Sequence, residues 1–342
     1  MDRSESWWRD CDPELLDPVR QALTGGDDRP IAVALSGGAD SAMLALHAAR
    51  AASEAGRPLH VFHIHHGLQA DADHWQAHVH RLAAHLDVSC HSLRVEVSIR
   101  GDGMESAARD ARYGAFVRLA ALTGVNTILL AHHRDDQAET VLLRLLRGAG
   151  PLALAAMAPE ITRDGLRYLR PWLAVPRARI LRCADRYGEH SGWRPVDDPS
   201  NADSRYTRAA LRQRLAPVLD ERWPGWRDIL ARHARQGREL AQLVDETVRM
   251  DWAGLDPAPD DMDFSLAAWR LLSPARQAQA LRHWLGLHGL RPPSAARLDE
   301  LMRQLRGLHA LGHDRHMRLR HDGRWIACVR GRVVLSSKTQ VE

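Results

Sequence analysis

Lysine is almost absent from this 342-residue chain: Lys338 is the only one among 47 basic side chains. No glycine-rich loop therefore carries the lysine that a Walker A nucleotide site requires. Cysteine is equally sparse, and Cys11, Cys90, Cys183 and Cys328 lie far apart. Without a Cys-x-x-Cys pair, the chain argues against a zinc ribbon, a cysteine-ligated iron–sulfur cluster and a dense disulfide framework. No run of about 18 apolar residues occurs, which excludes a membrane-spanning helix. The N-terminal MDRSESWWRDCD is charged and lacks the apolar core of a secretory signal. Together these absences lead to the expectation of a cytoplasmic protein in a reducing compartment.

What is present is the composition of a globular protein, 45% hydrophobic and 26% charged. The length fits one large domain with one or two small ones. A net charge of +4 conceals an asymmetry: residues 1–204 carry −4 and residues 205–342 carry +8. A near-neutral front half followed by a basic back half suggests a catalytic unit joined to a surface for a polyanion.

The front half alternates short apolar runs with stretches of helical period. Strands are expected over 31–35, 59–64, 88–97 and 127–131. Helices are expected over 40–54, 71–86, 105–123 and 135–147. Repeated β-α units with continuous apolar strands imply an α/β fold, a parallel sheet with helices on both faces. Ligands of such sheets bind at the carboxyl ends of the strands. After Gly150 the pattern is irregular to about residue 175. A helix follows over 176–188, then a polar loop to Arg205 and an Arg-rich helical stretch over 206–250, interrupted at Trp223-Pro224-Gly225. Residues 256–260 read as a linker. Beyond it lie two or three helices and strands near 315–320 and 325–335, with turn signals at Asp322-Gly323 and Arg330-Gly331.

The sharpest chemical signal is Ser36-Gly37-Gly38-Ala39-Asp40-Ser41, set between an expected strand and an expected helix. Glycines let backbone wrap an anion, and the helix N-terminus offers unpaired N–H groups and a favourable dipole. Asp40 is placed to hold a divalent cation against bound phosphates. The plain alternative is a glycine-rich turn with an aspartate helix cap. The string resembles the SGGxDS pyrophosphate loop of N-type ATP pyrophosphatases, the PP-loop superfamily.

Further clusters narrow the resemblance. His63-Ile64-His65-His66-Gly67-Leu68 is similar to the HVxHGL segment of tRNA(Ile)-lysidine synthetases; three close histidines otherwise suggest zinc. Glu105-Ser-Ala-Ala-Arg109-Asp-Ala-Arg112-Tyr113 resembles that family's E-x-x-A-R-x-x-R-Y helix, with Arg109 and Arg112 on one face. Ala131-His132-His133-Arg134-Asp135-Asp136-Gln137-Ala138-Glu139-Thr140, running on to Arg147-Gly148, closely resembles its AHHxDDQAET…RLxRG signature. In any reading Asp135 and Asp136 cap the helix that follows. Arg170-Pro171-Trp172-Leu173 is similar to RPLL. Asp198-Pro199-Ser200-Asn201 with Tyr206-Thr207-Arg208…Arg212 resembles D-x-S-N…Y-x-R-N-x-x-R, except that Ala209 stands where the family has Asn. The 148–158 loop also lacks a glycine usual in the family. The resemblance is dense over about residues 31–215 and general beyond.

The resemblance implies an adenine nucleotide alpha hydrolase-like, PP-loop ATPase domain at 1–215, a helical linker at 216–255 and a small α or α+β tRNA-binding domain at 256–342. The second C-terminal domain of longer relatives is expected to be missing. It implies a ligase forming a carbon–nitrogen bond: ATP adenylates C2 of the wobble cytidine of tRNA(Ile) with a CAU anticodon. Free L-lysine then displaces AMP to give lysidine, changing decoding from AUG to AUA. Ser36, Gly37, Gly38, Ala39, Asp40, Ser41, His63 and His65 would bind ATP, with Mg2+ at Asp40. Asp40, Arg112, His132, Asp136 and Glu139 would be catalytic, and Arg205, Arg208 and Arg212 would contact tRNA. A homodimer is a common state for such proteins. The competing readings are a tRNA thiolase on the same fold, which would need paired or persulfide-carrying cysteines, an ammonia-using amidating synthetase, and a catalytically silent RNA-binding relative.

Overall fold

The computed structural model describes residues 7–67, 71–96, 104–197, 207–308 and 317–336. They form two compact units, Met1–Arg238 and Glu239–Glu342.

The first unit is built on a six-stranded sheet of order β3-β2-β1-β4-β6-β5, comprising β1 (Ile31–Ala34), β2 (Leu59–His65), β3 (Ser89–Arg94), β4 (Thr127–Leu129), β5 (Glu160–Arg163) and β6 (Leu166–Leu169). All neighbours are parallel except the edge hairpin β5–β6. Period-two alternation divides the strands between two cores. Val33, Val61 and Leu129 pack with α1 (Pro13–Leu23), α2 (Ala39–Glu54), α3 (Ala72–His85) and α6 (Arg177–Ser191). Ala32, Phe62 and Ile128 face the opposite way, against α4 (Met104–Thr123). Helices thus cover both faces, as expected. The irregular stretch after Gly150 contains the β5–β6 hairpin, whose Asp164-Gly165 turn has φ of 52° and 78°.

Strand β1 lies between β2 and β4, so the chain leaves it in one direction for β2 and β3 and later returns on its other side. That is a topological switch point, where a crevice opens at the carboxyl edge. The Ser36–Ser41 loop leaves β1 there, the His65–Gly67 segment leaves β2, and His132–His133 follow β4 and precede α5 (Arg134–Leu146). A small separate core of Ala138, Leu143, Leu211, Ala216 and Trp226 joins α5 to the helices after residue 206. Those are α7 (Thr207–Ala210), a π-helical turn (Leu211–Leu215), α8 (Ala216–Arg222) and α9 (Trp226–Gly254). The break expected at 223–225 lies between α8 and α9.

The second unit has an antiparallel sheet, β7-β10-β9-β8, formed by β7 (Asp263–Ser265), β8 (Arg318–His321), β9 (Arg324–Val329) and β10 (Arg332–Ser336). Helices α10 (Leu266–Leu271), α11 (Pro274–Leu287) and α12 (Ala295–Gly307) close a core around Phe264, Trp269 and Trp284. It is an α+β arrangement.

Candidate active site

The phosphate loop is held by its own hydroxyls. Ser36 N–H donates to Ser41 Oγ at 3.2 Å, and Ser41 Oγ donates to Gly38 O at 3.1 Å. Gly37 has φ +97°, and a Cβ there would lie 3.0 Å from Val196 Cγ2, so glycine is required twice over. Gly38 precedes α2 without a side-chain cap, which leaves the first turn of α2 to an anion. Asp40, in that turn, keeps a quarter of its side chain exposed and is gripped by Arg177, with Nη2 to Oδ2 at 3.2 Å. Arg177 opens α6, and no sequence pattern singled it out.

His133 brings β1 and β4 chemistry together. His133, rather than the expected Asp135 or Asp136, is the N-cap of α5, and it forms a capping box with Asp136 at the third helical position: Asp136 N–H donates to His133 Nδ1 and His133 N–H donates to Asp136 Oδ2, both at 3.2 Å. With Nδ1 accepting, the ring proton resides on Nε2. That nitrogen lies 3.4 Å from Asp136 Oδ2 and 3.8 Å from Asp40 Oδ1. The two carboxylates of the expected chemistry therefore flank one buried imidazole. Burial alone would raise the Asp136 carboxyl, but His133, whose backbone N–H donates to it, and the charge of Arg212 outweigh burial and hold it below the usual range.

Glu139, one turn along α5, is 5% exposed. Arg212 reaches it from the π-helical turn, with Nε to Oε1 at 2.6 Å and Nη2 to Oε2 at 2.9 Å, and also meets Asp136 Oδ1 at 3.1 Å. Arg208 Nη2 donates to Thr140 Oγ1 at 3.3 Å. Of the arginines expected on tRNA, Arg212 is paired with the α5 carboxylates and Arg208 with the α5 hydroxyl of Thr140. Arg205 lies outside the described residues, as do Asp198–Asn201, and the Glu105 side chain is likewise not described.

His132 is pushed down to about 3 by burial, reinforced by Arg170, Arg208 and Arg109 and opposed by Asp136, and its Nδ1 is buried without a partner. It is a neutral imidazole at pH 7. His66 is lowered to about 4 by burial and by the charge of Arg112, which places Arg112 beside the β2 end. His63 Nδ1 donates to Leu35 O at 2.9 Å, and His65 Nε2 donates to Asp73 Oδ1 at 3.0 Å. The histidines thus have separate partners, and among the described residues no three His, Cys, Asp or Glu side chains are grouped to hold a metal ion. The zinc alternative for the histidine string has no support in this geometry. Magnesium makes a smaller demand, one or two carboxylates plus substrate phosphates and water, and Asp40 at the loop meets it.

Trp226 is a core residue, 5% exposed with Nε1 donating to Asp220 at 2.9 Å, whereas Trp223 is 56% exposed. Three of the four thiols are poorly suited to sulfur transfer: burial drives Cys11 to about 12 and Cys90 to about 11, and raises Cys183.

Comparison with known proteins identifies the family. A PP-loop domain model matches residues 13–219 and a TilS substrate binding domain model matches residues 264–334. A tRNA(Ile)-lysidine synthase of Bordetella bronchiseptica is 58% identical over 94% of this chain and 94% of its own length. The chain belongs to the tRNA(Ile)-lysidine synthase family. The Bordetella pertussis tRNA(Ile)-lysidine synthase is 59% identical over 91% of this chain and 98% of its own. Among solved structures, a U34-tRNA thiolase from Methanococcus maripaludis is 15% identical with a TM-score of 0.53, over 65% of this chain and 77% of that one. That likeness is one of fold.

Proposed function

We propose that the protein is an ATP-dependent ligase that makes lysidine in tRNA(Ile), joining the amine of L-lysine to C2 of the wobble cytidine in a CAU anticodon. The single observation that carries this reading is the position of His133, within 4 Å of both the phosphate-loop carboxylate Asp40 and the α5 carboxylate Asp136. A nucleotide held by the loop and an amine held by Asp136 and Glu139 would therefore meet at one place. The two half-reactions of an adenylate-forming ligase need that meeting.

In the first half-reaction, the C2 oxygen of cytidine attacks the α-phosphate and pyrophosphate leaves. Negative charge builds on the phosphates, and the N–H groups opening α2 point toward it from fixed positions. Arg177 places a cation on Asp40 beside that loop, and Arg112 supplies charge at the β2 end. Asp40 would hold magnesium, which would supply neutralisation of the phosphate charge. In the second half-reaction the lysine amine attacks C2 and AMP departs. The amine must give up a proton, so it needs acceptors around it. Asp136, Glu139 and the neutral His132 provide them. The basic excess of residues 205–342 supports tRNA binding by the C-terminal domain, 256–342, since phosphate contacts supply most of the affinity.

The test is incorporation of radiolabelled lysine into bulk tRNA by the purified protein with ATP and magnesium, beside Asp40→Ala. Label that requires ATP and disappears in the variant supports the reading. Pyrophosphate release on adding tRNA, without label, would keep adenylation and reject lysine as the nucleophile.

A further inference from the structure

We propose that Arg212 is an internal stand-in for the substrate amine, and that tRNA binding removes it, so that lysine is admitted only to a tRNA-loaded site. This rests on the reading that Asp136 and Glu139 receive the amine. The Arg212 guanidinium takes both oxygens of Glu139 and one of Asp136. Those side chains are only 6% and 12% exposed, so the carboxylates have little surface left for a second cation. A substrate ammonium arriving there competes with a charge-assisted, two-pronged ion pair already in place.

Two features make the pair displaceable. Arg212 lies on the π-helical turn Leu211–Leu215, inserted between the α-helical segments α7 and α8. Such turns are rare and concentrate at functional sites. Conversion to α geometry changes the residue's direction around the axis without unfolding the helix. The same stretch, from Arg205 to Arg214, carries four arginines within ten residues of a back half of net charge +8. An RNA phosphate offers Arg212 the same forked acceptor geometry as Glu139. Phosphate and carboxylate therefore compete for one guanidinium. When the phosphate wins, Asp136 and Glu139 are left as an unpaired, largely buried acidic pair, which favours binding of an ammonium. Arg212 is a positioning residue here, acting on lysine through the carboxylates it covers.

The test is equilibrium dialysis of radiolabelled L-lysine against the full chain without ATP, with and without tRNA(Ile). In wild type, tRNA tightens lysine binding at least tenfold, and by linkage lysine tightens tRNA binding by the same factor. In Arg212→Gln, which keeps bulk but not charge, lysine binds without tRNA about as tightly as it binds the wild-type tRNA complex, and the coupling disappears. Arg212→Lys, which keeps a cation on the carboxylates, restores at least part of the coupling. Weaker or unchanged lysine binding in a folded Arg212→Gln protein overturns the proposal, as does wild-type affinity indifferent to tRNA. Glu139→Gln separates the two levels: undiminished lysine binding with tRNA present would refute the carboxylate site itself, whereas its loss leaves the Arg212 result to decide.

Discussion

Acidification from pH 7 to pH 5 destabilises the first unit through His47, and the amount follows from its burial. His47 is fully buried on α2, the helix that begins at the phosphate loop. Its Nδ1 donates to Met43 O at 2.6 Å, and its Nε2 accepts from Asp12 N–H, the N-cap residue of α1, at 3.0 Å. A second proton would turn that acceptor into a donor facing a donor. Burial, the largest influence, pushes the imidazole from its ordinary 6.5 down to about 4. The unfolded chain therefore takes up this proton at higher pH than the folded one. Stability is fully present above pH 6.5 and is lost as pH falls toward 4. The loss is about 2 kcal/mol at pH 5 and about 3 kcal/mol at pH 4. His47→Gln retains an amide able to accept and donate but does not titrate. Urea unfolding of both proteins at pH 7 and pH 5 reads the effect as a difference of differences, which cancels the other histidines. The advantage of wild type over His47→Gln shrinks by about 2 kcal/mol between the two pH values. An unchanged gap would refute a neutral, acceptor-bearing His47.

Three further outcomes are expected. Gly37→Ala forces a side chain into φ +97° and against Val196; the strain is about 1–3 kcal/mol, and the KM for ATP rises at least tenfold in pyrophosphate-exchange assays while the protein remains folded. His133→Asn preserves an N-cap, whereas His133→Ala loses about 1 kcal/mol of helix stability. Both variants lose at least tenfold in adenylation rate, and full activity in the asparagine variant would reduce His133 to a cap. Cys90→Ser keeps lysine incorporation, and alkylation of Cys11, Cys90 and Cys183 in the folded protein at pH 8 is far slower than in urea, because burial holds their thiols protonated.

What could be read from the sequence alone divides along a physical line. The strands β1, β2 and β4 and the loops after them were legible because a buried parallel strand is a continuous apolar run and a phosphate loop needs glycines in fixed places. The β5–β6 hairpin was hidden because Glu160 and Arg167 on its outer face pair across the strands at 2.8 Å, so its residues read as surface charge. Helix α1 went unread although Asp12-Pro13 is a cap followed by a first-turn proline. Arg177 had no local signal at all: its partner Asp40 is 137 residues away. Arg212 was legible as a cation but not in its role, for a sequence displays charges without their partners. The basic back half points its arginines to RNA, and the fold adds partners on α5 for Arg212 and Arg208. The same ambiguity gives Arg212 its function in the proposal above. A guanidinium that recognises carboxylate and phosphate equally well is the group that can exchange one for the other, and a lysine in its place would lose the forked geometry while keeping the charge.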